Sequence, residues 1–114
     1  MDSILTSVKK LLGIAEEYEH FDQDIIIHIN SVLMILTQIG VGPSDGFSIV
    51  DKEATWSDFV EGIYQIEAVR TYVYLKVRLI FDPPSSSAVM EAINRTVSEL
   101  EWRLSVAVDP GRSK

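Results

Sequence analysis

The chain has 114 residues, ten basic against seventeen acidic side chains, a net charge of −7 and no cysteine. That length supplies one domain with one core, burying roughly 65% of the surface its unfolded form exposes, and the missing thiols exclude disulfides, cysteine nucleophiles and cysteine-ligated zinc. Hydrophobic residues make up 46% of the chain, more than one small core needs, so apolar surface is left for partners.

Ile4, Leu5, Val8, Leu11 and Leu12 recur at helical spacing, with Asp2 or Ser3 as N-cap and Gly13 as a left-handed exit, and predict a short first helix. After an acidic linker from Glu16 to His20, Asp22 is placed to cap a long helix reaching Gly40. Its stripe is Ile25, Ile29, Val32, Leu36 and Ile39. Ile27 and Met34, seven apart, project opposite that stripe and form a second apolar face. Burial of both faces in one small bundle competes with a subunit contact as the explanation.

Gly40, Gly42, Pro43, Ser44, Asp45 and Gly46, followed by Phe47-Ser48-Ile49-Val50, predict a loop over 40–55 that carries at most a short hairpin. Thr55, with Asp58 three residues on, resembles a helix N-terminus ahead of Trp56 and Phe59. From Ile63 to Phe81 a strand-like alternation competes with the helical stripe Ile66, Val69, Val73, Val77, Ile80. Length decides for helix, and Glu67, Arg70, Thr71, Tyr74 and Arg78 then share the polar face. Pro83 and Pro84 end it. Ser85, Ser86 and Ser87 offer caps for a last helix burying Val89, Ile93, Val97, Leu100 and Leu104, with Glu91–Arg95 and Glu99–Arg103 as ion pairs one turn apart.

The chemistry available is thin. His20 and His28 lie among acids, but their spacing does not assemble the three or four converging ligands that zinc requires. No nucleophile-elbow, Walker or dinucleotide-binding pattern is present, and the glycines near residue 40 follow a helix where those phosphate motifs need a strand. No catalysis and no cofactor are expected. Residues 1–40 carry six acids and two lysines, 41–58 four acids and one lysine, and 59–114 seven of each sign. With no basic cluster to displace counterions from phosphates, tight DNA binding is not expected. The most apolar run, Tyr72 to Phe81, is broken by Lys76 and Arg78 and falls short of the ~20 residues that span a bilayer. The N-terminus has no signal-peptide pattern, so a cytosolic location is expected. Docking is the remaining role. Trp56, Phe59 and Trp102 are the aromatics that could anchor an interface, since large aromatics dominate interface energetics, and of these Trp56 and Phe59 join Ile27 and Met34 as candidate interface residues. Core packing is the competing reading for both aromatics.

Five strings go further: Asp24-Ile-Ile-Ile-His-Ile-Asn-Ser-Val32, Gly40-Val-Gly-Pro43, Trp56-Ser-Asp-Phe59, Tyr72-Val-Tyr-Leu-Lys-Val-Arg-Leu-Ile-Phe-Asp-Pro-Pro84 and Glu99-Leu-Glu-Trp-Arg-Leu104. In this order they resemble the head-tail connector, or head-completion, proteins of tailed bacteriophages and prophages. The resemblance implies an all-α connector subunit, in line with the bundle of four to five helices read above over 1–108, and Asp109, Pro110 and Gly111 predict a flexible tail at 109–114. It implies a ring of copies, about twelve to match a portal, closed by heterologous contacts. The partners implied are the chain itself, the portal protein and a downstream adaptor or tail protein, with DNA only as passing cargo and no membrane. Assembly would take place in the bacterial host cytoplasm and end at the head-tail interface of the virion. In such a ring Asp45, Asp51 and Glu53 are candidates to face the DNA channel, where like charge prevents phosphate contacts, with surface solubility as the plainer reading. The alternative is a small helical regulator or adaptor that binds its partner as a monomer or dimer.

Overall fold

A computed structural model describes residues 3–60 and 63–108. The described residues form five helices: α1 (Ile4–Leu12), α2 (Asp22–Ile39), α3 (Trp56–Phe59), α4 (Ile63–Phe81) and α5 (Ser87–Val108). The fold is the expected all-α bundle. The tail expected at 109–114 lies outside the described residues.

The local signals account for most helix ends. Ser3 caps α1, its Oγ accepting the Thr6 N–H at 3.2 Å, and Gly13 closes it with φ at 84°. Gly40, with φ at 109°, ends α2, and the next amide, Val41, donates back to the Leu36 carbonyl at 2.9 Å. The Thr55 N–H donates to Asp58 Oδ2 at 2.9 Å at the start of α3. Ser86 is the serine that caps α5, accepting the Val89 N–H at 3.3 Å.

One predicted cap is displaced. Asp22 is the first helical residue of α2, Phe21 takes the cap position without a side-chain bond, and the Asp22 carboxylate turns instead to the Lys9 ammonium at 2.8 Å. The charged partner on α1 outweighs a neutral backbone amide, because opposite charges attract more strongly where one of them, the Lys9 ammonium, is buried away from water.

α4 is the hub and packs against each of the other helices. Val69, Tyr72, Val73 and Val77 are fully buried along it and meet Ile25, Ile29, Val32 and Leu36 of α2 in one core cluster. The helical stripe, not the strand-like alternation, is the one that packs. Ile80 is exposed, and at this end of α4 its neighbours Leu79 and Phe81 pack against the core instead. On α5, Ile93, Val97 and Leu104 are buried and Leu100 is half-buried, but Val89 lies beyond the reach of the core and is exposed.

The 40–55 segment forms no hairpin. Phe47 packs on Phe59 with ring centroids 5.3 Å apart, and Ile49 is buried, so neither apolar residue needs a cross-strand neighbour. The pairing that forms is a single antiparallel bridge between Ser3 and Thr55, beside an Ile4 N–H to Ala54 carbonyl bond of 2.9 Å. This bridge fastens the end of the loop to the start of α1.

A candidate docking surface

Burial on α2 is one-sided. At 100° per residue, Ile25, Ile29, Val32 and Leu36 gather on one side, and Ile27 and Met34 fall nearly opposite. Ile27 is 60% exposed and Met34 58%, with Asp24, Ser31 and Gln38 exposed around them. Ser31 lies between them and returns its hydroxyl proton to the Ile27 carbonyl at 3.1 Å, so the strip between the two apolar side chains presents little competing polarity. The chain's own core leaves this face uncovered.

The aromatic candidates divide differently from the sequence expectation. Trp56 and Phe59, expected at an interface, are 1% and 3% exposed and belong to the core. The Trp56 indole N–H donates to Ser7 Oγ at 3.1 Å, and that hydroxyl donates to the Ser3 carbonyl at 2.6 Å. With its one donor satisfied and its ring enclosed, Trp56 has nothing to offer a partner. Among the described residues the most exposed aromatic of a helix is Trp102, 67% exposed on α5, with Val106 one turn further on the same side. The signal for this was in the sequence, because Trp102 sits off the stripe of Ile93, Val97, Leu100 and Leu104.

Loop 40–55 brings further candidates together. Met34 and Asp45 line a shared open hollow of about 410 Å³ with Asn30, Thr37 and Phe47. Asn30 fixes the loop above it: its Nδ2 donates to the Ile49 carbonyl at 2.9 Å and its Oδ1 accepts the Ile49 N–H at 2.7 Å. A side-chain amide thus replaces the neighbouring strand that Ile49 would otherwise need. Beyond it Val50 is 78% exposed, and Asp51 Oδ1 accepts the Glu53 N–H at 2.9 Å in a tight turn. Asp45, Asp51 and Glu53 are all exposed on this loop, with Lys52 the lone base among them.

The histidines have a different setting. His20 packs its ring against Phe21 at 4.8 Å, and His28 lies 6.5 Å from Phe81. Among the described residues no group of three or more His, Asp or Glu side chains converges as a metal site, and no helix is long and apolar enough to cross a membrane.

An uncovered isoleucine–methionine face on one helix and an uncovered tryptophan on another are the kind of surface that contacts with other proteins use. The model of the phage connector protein family matches residues 4–111, and the chain belongs to that family. No curated protein and no solved structure matches it. Family membership makes the chain a structural connector component of a phage virion, acting among other virion proteins at the head-tail interface.

Proposed function

We propose that this chain is the subunit of a connector ring of about twelve copies that sits below the portal, extends the DNA channel and docks the next adaptor or tail protein. The observation that carries the reading is the Ile27–Met34 face, apolar and exposed on a helix whose other side is fully committed to the core. A ring subunit meets its neighbours through two different patches, and the Trp102–Val106 side of α5 supplies a second one. The excess of acids suits a passage that lets duplex DNA through without holding it.

The test is to mix the purified protein with its cognate portal and image the product by electron microscopy, where a ring stacked on the portal is expected. Ile27→Asp and Trp102→Ser each change an exposed side chain, so each should alter stability by no more than about 0.5 kcal/mol while abolishing the ring. A portal left bare by the wild-type protein, or rings that form normally with both variants, would overturn the proposal.

A further inference from the structure

The Asn30 clamp has an outer side. Among the described residues no peptide bond is cis, and in a trans peptide the carbonyl and the following amide point in opposite directions. Because the Ile49 carbonyl and N–H both turn toward Asn30, the Val50 N–H and the Ser48 carbonyl turn away from α2. Neither has a hydrogen-bond partner within the described chain, and both residues are exposed. An acceptor and a donor flanking one buried residue are the pair of groups that an added strand engages.

We propose that residues 47–51 form a docking edge that takes an extended, basic stretch of the neighbouring virion protein as an added strand. The inference rests on the connector reading above and names one of its contacts. Charge selects the occupant. Asp45, Asp51 and Glu53 are the exposed acids on and beside this segment, against the single Lys52, so a strand bearing lysine or arginine is attracted, and a second copy laid edge to edge would set acid against acid. Val50 supplies an apolar contact beside the backbone pairing. This assigns the loop acids to a protein contact in place of the DNA channel expected from the resemblance.

Proline removes the outward N–H of residue 50, which nothing in the chain uses, whereas alanine keeps it. Portal-bound wild-type protein, Val50→Pro, Val50→Ala and the double variant Asp45→Lys/Glu53→Lys are each offered the next adaptor or tail protein, and its retention is measured. Val50→Pro and the double variant are expected to weaken retention about tenfold or more, with Val50→Ala much closer to the wild type. Hydrogen exchange of the wild-type peptide spanning 47–51, read by mass spectrometry, should slow when the adaptor docks, a measurement independent of whether the proline variant folds. Unchanged exchange together with full retention by Val50→Pro overturns the inference while leaving the ring intact. Self-association through 47–51, or slowed DNA ejection by the double variant with docking unimpaired, overturns it equally by reassigning the edge. Failure of the wild type to join the portal removes both this inference and the reading beneath it.

Discussion

The two ends of the chain are held by different means. From α1 to α3 the fold is cross-tied by polar groups drawn inside: Lys9 is 2% exposed and donates to the Glu16 and Tyr18 carbonyls, each at 2.8 Å, as well as pairing with Asp22. Ser7 holds Trp56, and Asn30 holds Ile49. Helix α5 has 22 residues and rests on one apolar stripe, with a hydrogen bond from the Tyr72 hydroxyl to Glu101 Oε2 at 2.6 Å. Its ion pair between Arg103 and Glu99, at 2.8 Å, is exposed and local and ties it to nothing else. The pair expected between Glu91 and Arg95 is not among the ion pairs of the described residues. A region with redundant buried ties holds its shape alone, whereas a helix with one packed stripe leaves most of its surface uncovered and opens more readily.

The contrast can be broken first at Lys9. Lys9→Met keeps the apolar stem but strands the Asp22 carboxylate and two carbonyls, and should cost about 3–5 kcal/mol in urea unfolding, since breaking a buried pair from one side leaves the other charge uncompensated. Gly42 comes next. Its φ of 87° disfavours any Cβ, and a Cβ there would be driven into the Phe59 ring. Gly42→Ala should therefore cost about 2–3 kcal/mol in the same assay. Both losses belong to the cross-tied half.

The smallest expected effect is in α5. Tyr72→Phe removes this hydrogen bond between α4 and α5, and because Glu101 is half-exposed and can rehydrate, the cost should be about 1 kcal/mol. The variant should speed amide exchange in α5 before α1 to α3 respond. It also carries a pH signature. Burial first, then the bond to Glu101 and the carboxylate charge, push the Tyr72 hydroxyl well above its ordinary value of 10.0. The unfolded chain therefore releases this proton at lower pH than the folded one, so the contribution is complete below pH 10 and declines as pH rises beyond it. Wild-type stability should fall over that alkaline range more steeply than that of Tyr72→Phe, and equal slopes would show that the hydroxyl is not held this way.

Much of the fold was legible in the sequence because its determinants are local. The ends of α1 and α2 follow from Ser3, Gly13 and Gly40, the end of α4 from Pro83 and Pro84, and the second face of α2 from the seven-residue spacing of Ile27 and Met34. Helical period also beat strand alternation in α4, since a 19-residue run outlasts a strand. Tertiary structure alone decided which side chains left the surface. Trp56 and Phe59 sit on a four-residue helix, too short for a stripe to say which way they face, and the group that satisfies the indole lies 49 residues away in sequence. Asn30 and Ile49 are 19 residues apart, so no local pattern could announce that the loop would be held by an amide instead of a hairpin. Periodicity reports the faces of each helix, but which face is covered depends on a neighbour that only the folded chain brings into place.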